Sequence, residues 1–145
     1  MAEMAKRILR ILAIDDDSGC RLSTARYLTL MGGHMVEVAA NGGEGLKKAA
    51  SLKPDIILLD MAMPDMTGPE VLDALCASSA TRNIPVIIVT GAVLDAAGRG
   101  KLEARSNFAA LAQKPVNFGV LLKEIETAAR PAKDPPEPAW PETQP

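Results

Sequence analysis

Short runs of consecutive aliphatic residues alternate along this chain with segments whose apolar residues recur every three or four positions. Runs that lack polar alternation are typical of strands buried on both faces of a parallel sheet. They predict five strands, over residues 8–14, 35–39, 55–59, 85–89 and 108–112. The helical spacing predicts intervening helices over 19–31, from the Asn41-Gly42-Gly43 turn to Ser51, over 69–76, and from Asn117 to about Arg130.

The predicted helices differ in how well their sequences support them. Asp17 or Ser18 is placed to cap the first helix. The expected buried face of that helix contains Leu22, Ala25 and Leu28. The apolar stripe of the last helix contains Val120, Leu121, Ile125 and Ala128. Segment 93–105 also has helical spacing, but Gly98 and Gly100 each weaken a helix by about 1 kcal/mol relative to alanine. We therefore expect a short or broken helix there.

Five strand–helix units in succession favour parallel strands joined by right-handed crossovers. The expected fold class is α/β, a doubly wound five-stranded parallel sheet with helices on both faces. The length of 145 residues and the hydrophobic content of 48% suit one domain, assigned to residues 1–130. Residues 131–145 contain six prolines and are expected to form a disordered tail or linker. Trp140 is interpreted as an exposed tail residue rather than as a docking anchor.

The net charge, the cysteines and the N-terminal residues limit the partners and the cell compartment that we expect for this chain. The net charge of -2 gives no electrostatic reason to expect nucleic acid contact from this chain. Cys20 and Cys76 lack metal-ligand spacing and are interpreted as free thiols in a reducing compartment. Residues 1–10 do not have the pattern of a signal peptide, and no apolar run is long enough for a membrane helix. We therefore expect a cytoplasmic protein without membrane contact.

Reactive polar residues follow four of the five predicted strands. Three aspartates at 15–17 follow the first strand, Asp60 follows the third, Thr90 follows the fourth, and Lys114 comes shortly after the fifth. Ligands of doubly wound sheets bind at the carboxyl ends of the strands. One shared site explains this placement of carboxylates, hydroxyl and amine better than separate structural roles do.

The residue types indicate phosphoryl chemistry with a metal ion. Asp15, Asp16 and Asp60 would repel one another at this edge unless a cation were bound. Mg²⁺ suits them, because it prefers oxygen ligands and tolerates water. Asp60 is the candidate nucleophile, since a carboxylate can accept a phosphoryl group as an acyl phosphate. Thr90 could donate its hydroxyl to one phosphoryl oxygen, and the Lys114 ammonium could balance the charge of another.

The order and spacing of these residues resemble those of the receiver domains of two-component response regulators, over roughly residues 7–130. Five parts of that family's pattern occur in order: the acidic pair Asp15-Asp16, the phospho-accepting Asp60, the loop Met63-Pro64-Asp65-Met66-Thr67-Gly68, the switch residue Thr90 and the pair Lys114-Pro115.

The resemblance implies a phospho-accepting role in a phosphorelay. A sensor histidine kinase or a histidine phosphotransfer protein would give its phosphoryl group to Asp60. Mg²⁺ would be held by Asp16, Asp60 and the backbone carbonyl of Ala62, with Asp15 acting partly through water. Phosphorylation would draw Thr90 inward and reshape the face formed by the fourth helix, fifth strand and fifth helix, which is also the candidate homodimer contact. The Lys114-Pro115 peptide bond would be cis.

Two positions depart from the family's pattern. The switch aromatic is expected three residues before Lys114, where this chain has Leu111, so the coupling of Thr90 to an aromatic side chain is in question. Ala62, two residues after Asp60, lacks a side chain able to contact a phosphoryl group or an attacking water. We therefore expect an altered lifetime of the aspartyl phosphate.

Three alternatives are weighed against this interpretation. A phosphatase of the haloacid dehalogenase type would use Asp15 as nucleophile and Asp17 as general acid, but no acidic pair follows Lys114 at a strand end, where that family needs one. A degenerate receiver that acts only as a protein-binding module is kept open by Leu111. A flavin-binding module lacks its phosphate loop after the first strand. His34, the only histidine, is expected at the opposite end of the sheet, so the phosphoryl donor must be another molecule.

Overall fold

The computed structural model describes residues 7–131 and 140–141. Strands and helices alternate in the order β1 (Arg10–Ile14), α1 (Ser18–Leu30), β2 (Met35–Ala39), α2 (Gly42–Leu52), β3 (Ile56–Asp60), α3 (Gly68–Cys76), β4 (Val86–Thr90), α4 (Ala96–Glu103), β5 (Phe108–Gln113) and α5 (Phe118–Ala128). Within these described ranges, every helix is too short or too polar to cross a membrane.

All five strands lie parallel in one sheet, in the order β2-β1-β3-β4-β5. This confirms the predicted doubly wound α/β fold. The strand order reverses between β1 and β3, which is where sheets of this type bind ligands. Ile14 pairs with Leu59 across these two strands, so the register brings Asp15 and Asp60 level with each other.

Two hydrophobic layers cover the faces of the sheet. Helices α2, α3 and α4 pack on one face through residues that include Ala49, Leu72 and Leu102. Helices α1 and α5 pack on the other face through residues that include Leu28 and Ile125. Every residue of β3 and β4 is buried, as continuous apolar runs predict for central parallel strands. The two layers hold these strands rigidly, which fixes the positions of their carboxyl ends.

Several elements begin or end one or two residues away from the predicted positions. Strand β1 begins at Arg10 rather than at residue 8. Strands β3 and β4 are shifted by one residue, so Asp60 and Thr90 are the last residues of strands rather than the first residues of loops. The segment 93–105 contains the short helix α4, capped by the side chain of Asp95, in agreement with the weak helical pattern.

Two residues that we assigned to buried helix faces are exposed. Leu22 is 44% exposed and Val120 is 54% exposed. At 3.6 residues per turn, Leu22 lies about 120° around its helix from Leu28, and Val120 lies about 100° from Leu121. Both residues therefore lie beyond the edge of the face that meets the sheet. In α1 the buried position is taken by Thr24 instead.

His34 lies before β2, at the end of the sheet opposite the aspartates, as predicted. Its side chain is buried, its Nδ1 accepts a hydrogen bond of 3.0 Å from the Leu9 N–H, and its Nε2 lies 2.8 Å from Oε2 of Glu126. Because Nδ1 accepts a hydrogen bond, the ring hydrogen of the neutral form is on Nε2. His34 therefore joins the β1–β2 edge to α5 and takes no part in the site.

Trp140 also lies at this end of the sheet, and its interpretation as an exposed tail residue is wrong. It is 8% exposed, and the guanidinium carbon of Arg10 lies 5.0 Å from its ring centroid. That separation is typical of a cation–π contact. The remaining expectation for the tail concerns residues 132–139 and 142–145, which lie outside the described residues, so the disordered tail stays a prediction.

We expect the fluorescence of Trp140, the only tryptophan, to report this burial. Its emission should be blue-shifted in the folded chain relative to the chain in urea, because burial removes water from the indole. Arg10→Gln removes the cation but keeps a long polar side chain, and it should shift the emission towards the urea value and increase quenching by acrylamide. Native emission that coincides with the denatured spectrum would contradict the contact.

Candidate functional site

Three aspartates meet at the carboxyl ends of β1 and β3. One carboxylate oxygen from each of Asp15, Asp16 and Asp60 lies within 4.8 Å of the others. Asp15 and Asp60 are each 8% exposed, whereas Asp16 is open to solvent. The structure therefore brings together the three carboxylates that the sequence predicted, with one of them accessible from outside.

The backbone of Asp15 is held by its neighbours. Its N–H donates to the carbonyl of Ala39 at 3.0 Å, and its own carbonyl accepts a hydrogen bond of 2.8 Å from Nη1 of Arg21. Oδ1 of Asp15 accepts from the N–H of Asp17 at 2.9 Å, which leaves Oδ2 for other partners. Sequence analysis did not identify Arg21, because only the fold places a residue of α1 beside the end of β1.

Of the two residues predicted to cap the first helix, Asp17 or Ser18, the cap is Asp17. Its Oδ1 accepts hydrogen bonds from the backbone N–H groups of Gly19 at 2.9 Å and Cys20 at 3.3 Å, at the start of α1. An aspartate at this position satisfies donors that the helix itself leaves free. The acidic run 15–17 is therefore divided into one helix cap and two residues that face the site.

Lys114 supplies the positive charge of the site. Its Nζ lies 3.5 Å from Oδ1 of Asp60 and 3.8 Å from Oδ2 of Asp15. Burial by itself lowers the pKa of Lys114, but the charges of Asp15 and Asp60 outweigh burial and raise the pKa overall. Lys114 is therefore fully protonated at neutral pH.

The electrostatics of Asp60 are unfavourable for its ionised form. Burial raises the pKa of Asp60 above its ordinary value, and the charge of Asp15 raises it further, while Lys114 opposes both. The Lys114 ammonium and the nearby Arg21 guanidinium supply two positive charges against three carboxylates, so the fully ionised cluster has a net negative charge. This is the environment in which a hard divalent cation with oxygen ligands is stabilising.

Thr90 and Lys114 are linked through the backbone at the next strand ends. The carbonyl of Thr90 accepts a hydrogen bond of 2.7 Å from the N–H of Lys114, and the Thr90 hydroxyl oxygen accepts one of 3.0 Å from Ala92. Thr90 is 2% exposed. The Lys114-Pro115 peptide bond is cis, as predicted. Because the Thr90 oxygen is the acceptor in this bond, the bond does not use the hydroxyl hydrogen.

The loop that follows Asp60 closes on itself. Ala62 forms an isolated antiparallel bridge with Thr67, and the N–H of Gly68 donates to the carbonyl of Met61 at 2.7 Å. Thr67 then caps α3 in a reciprocal pair with Glu70. Ala62 is solvent-exposed and places only a methyl group beside the site.

Neither Leu111 nor Cys20 adds a reactive group to the site. Leu111, at the position of the expected switch aromatic, is half-buried and packs against the core layer formed with α3. Burial, together with a hydrogen bond to Asp15 and the charge of Asp15, raises the pKa of the Cys20 thiol to about 11. Cys20 is therefore a protonated thiol, and both it and Cys76 are free, as predicted.

Comparison with known proteins identifies the class to which this fold and site belong. The response regulator receiver domain matches residues 11–126, from β1 to α5. The chain therefore belongs to the response regulator receiver family. It is a phospho-accepting receiver domain of two-component signal transduction.

Two curated relatives illustrate the range of proteins that contain this domain. The chain is 34% identical over 139 residues to protein-glutamate methylesterase/protein-glutamine glutaminase 5 of Myxococcus xanthus, covering 90% of this chain and 40% of that protein. It is 40% identical over 81 residues to protein PilH of Pseudomonas aeruginosa, covering 56% of this chain and 66% of PilH. The chain thus spans less than half of the methylesterase, and the similarity concerns a signalling domain rather than that whole enzyme.

Solved structures agree with this assignment. The chemotaxis response regulator CheY4 of Vibrio cholerae superposes with a TM-score of 0.76 at 30% identity, covering 84% of this chain and 99% of CheY4. The response regulator domain of Thermotoga maritima CheB superposes with a TM-score of 0.73 at 26% identity, covering 84% of this chain and 96% of that domain. The phosphatase alternative, in which Asp15 is the nucleophile, is disfavoured by this family membership.

We expect Asp60→Asn to raise the melting temperature of the metal-free protein at neutral pH. Since the native pKa of Asp60 is raised, its ionisation opposes folding. The folded state loses stability as pH rises from about 3.9, the value for an unfolded chain, through the raised native pKa. Asparagine removes this penalty, so thermal denaturation in EDTA should show a higher melting temperature than wild type at pH 7 and a smaller difference at pH 4.

Asp17→Asn is the matched control, since it removes a negative charge at the same end of the sheet but keeps an effective helix cap. Its melting temperature should stay close to wild type, and Mg²⁺ should still stabilise it. Equal melting temperatures of Asp60→Asn and wild type in EDTA would contradict the proposed electrostatic penalty.

Proposed function

We propose that Asp60 is the phosphoryl acceptor of this receiver domain and that Mg²⁺ is bound by Asp16, Asp60 and the backbone carbonyl of Ala62, with Asp15 contributing partly through water. The observation that carries the proposal is the meeting of three carboxylates within 4.8 Å with a single ammonium group 3.5 Å from Asp60. Such a set of oxygen donors fits a small hard cation. When bound, Mg²⁺ would neutralise the carboxylates and the oxygens of an incoming phosphoryl group.

Asp60 is better placed than its neighbours to act as the nucleophile. It ends the central strand β3, it is flanked by β1 and β4, and it faces Lys114. In the proposed reaction a carboxylate oxygen of Asp60 forms a bond to phosphorus while the phosphorus–nitrogen bond of a phosphohistidine breaks. The bond electrons stay with the leaving imidazole, which takes a proton from solvent. The product on Asp60 is an acyl phosphate.

Lys114 and Thr90 have complementary roles in this proposal. The Lys114 ammonium balances the charge of one phosphoryl oxygen after the transfer, replacing part of its present contact with Asp60. The Thr90 hydroxyl donates to a second phosphoryl oxygen, because its hydrogen is not committed to Ala92. Thr90 ends β4, the strand next to β3, and the Lys114 Nζ already lies 3.5 Å from Oδ1 of Asp60.

The phosphoryl donor is proposed to be a sensor histidine kinase or a histidine phosphotransfer protein acting in the cytoplasm. The chain's only histidine, His34, is buried at the opposite end of the sheet and cannot reach Asp60. The output is proposed to pass through the α4–β5–α5 face, which includes the exposed Val120 and could form a homodimer contact. We propose no nucleic acid or membrane contact for this chain.

Phosphorylation by a small donor tests the assignment of Asp60. We expect wild-type protein with Mg²⁺ and acetyl phosphate to gain the mass of one phosphoryl group, in an adduct stable to acid and labile to base. The adduct should be absent without Mg²⁺ and in Asp60→Asn. Lys114→Ala should reduce the rate by at least about tenfold, the order expected for removing one charge from a phosphoryl transfer site.

Other outcomes of that experiment identify the alternatives. If wild-type protein gains no adduct, the chain is a degenerate receiver that acts as a protein-binding module, the alternative that Leu111 keeps open. An adduct that persists in Asp60→Asn and is lost in Asp15→Asn would support the phosphatase alternative.

The side chain at position 62 is expected to influence the lifetime of the phosphorylated state. Ala62 is exposed and contributes only a methyl group beside the acceptor. Ala62→Asn would add an amide that can contact a phosphoryl oxygen or an attacking water. We expect its rate of autodephosphorylation, measured by loss of the mass adduct after the donor is removed, to differ severalfold from that of wild type. Ala92→Asn, two residues after the end of β4, is a control for a general effect of an added polar side chain. Equal rates of autodephosphorylation for Ala62→Asn and wild type would refute an influence of position 62 on the phosphate lifetime.

A further inference from the structure

The loop between β3 and α3 is attached at its apex to a different element of the fold. Asp65 lies at this apex, and its carboxylate accepts two hydrogen bonds from the first turn of α2. The Gly42 N–H donates to Oδ1 at 3.1 Å, and the Gly43 N–H donates to Oδ2 at 3.0 Å. These hydrogen bonds lower the pKa of Asp65, so the carboxylate is ionised at neutral pH.

The start of α2 is built to receive this carboxylate. Asn41 caps the helix by accepting from the N–H of Glu44 at 2.8 Å. The carboxylate of Asp65 accepts from the two N–H groups before Glu44, those of Gly42 and Gly43. The first three N–H groups of α2 therefore all have acceptors, and the β3–α3 loop supplies two of these acceptors. A negative charge at this position is also favoured by the helix dipole.

Gly42 allows the two elements to approach closely. A Cβ atom at residue 42 would lie 2.8 Å from the sulfur and 2.9 Å from the Cβ of Met66, the residue next to Asp65. Any side chain at this position would therefore push the loop away from α2. The contact depends on both an acidic residue at 65 and a glycine at 42.

The base of the loop is fixed separately. Ala62 pairs with Thr67, and the Gly68 N–H donates to the Met61 carbonyl. With its base closed in this way and its apex tied to α2 by Asp65, the loop has little freedom to tilt. Ala62 is itself part of this closed base, two residues after Asp60, so the direction of its carbonyl depends on how the loop is held.

We propose that Asp65 is a positioning residue for the metal site, which it influences through the loop without contacting the ion. The inference rests on the proposed function, in which the Ala62 carbonyl is an Mg²⁺ ligand. Groups that hold a metal ligand in its orientation without contacting the ion affect the affinity for the metal, because the ion requires a defined arrangement of oxygens. Asp65 also joins the loop after the acceptor to the first turn of α2.

Direct measurement of Mg²⁺ binding by titration calorimetry, without any phosphodonor, tests this proposal. Asp65→Ala removes both hydrogen bonds and should weaken Mg²⁺ binding by roughly tenfold, the lower end of the range for residues that orient metal ligands. Asp65→Asn keeps one acceptor oxygen and should give an intermediate affinity. Gly42→Ala leaves every charge in place but displaces Met66 and the loop, and it should weaken binding in the same direction.

Thr81→Val is the matched control for stability. It removes the buried hydrogen bond of 2.7 Å from the Thr81 hydroxyl to the Leu75 carbonyl, outside the loop and the site, so its melting temperature should fall while its Mg²⁺ affinity stays at the wild-type value. The proposal is overturned if Asp65→Ala binds Mg²⁺ as tightly as wild type, if Gly42→Ala does so, or if Thr81→Val weakens binding as much as they do. Absence of Mg²⁺ binding in the wild type would instead refute the proposed metal site itself.

Discussion

The repulsion among three carboxylates at one end of the sheet is the constraint that the fold must withstand and from which the properties of the site follow. Asp15 and Asp60 are each largely buried, Asp16 is next to them, and the Lys114 ammonium opposes their charge from 3.5 Å. In such an environment the ionised form of Asp60 is disfavoured, as its raised pKa indicates. The arrangement persists because the strands that carry these residues cannot separate. The same unbalanced charge makes the site receptive to a divalent cation.

The stability of those strands comes from burial on both sides. Strands β3 and β4 are buried throughout, and separate hydrophobic layers cover the two faces of the sheet. Burial of this kind favours folding by roughly 25 cal/mol for each Å² of apolar surface removed from water. A rigid centre can therefore hold like charges together at its edge, whereas the loops beyond the edge are held by hydrogen bonds to neighbouring backbone.

The other end of the sheet has the opposite character, because its charged groups are paired. Asp55 is buried, but its Oδ2 accepts from the Arg10 N–H at 2.9 Å and its Oδ1 lies 3.1 Å from Nη2 of Arg7. The carbonyl of Asp55 also accepts from the N–H of Arg130, which brings the first and last described parts of the domain together. Satisfied in this way, a buried carboxylate stabilises the fold. The carboxylate of Asp55, which has a structural role, thus differs from those of the candidate site in its hydrogen-bond and ion-pair partners rather than in residue type.

The sequence by itself determined the fold class, the five strands and the residues of the candidate site. Aliphatic runs can be recognised locally, and polar residues that follow parallel strands must meet at one edge. It could not decide contacts that depend on how separate elements are placed, such as the exposure of Leu22, the burial of Trp140 against Arg10, or the attachment of Asp65 to α2. Each of these features depends on whether residues that are distant in the chain come into contact. Only the tertiary structure brings such residues together, because packing against the sheet sets the rotation of each helix and the path of each loop.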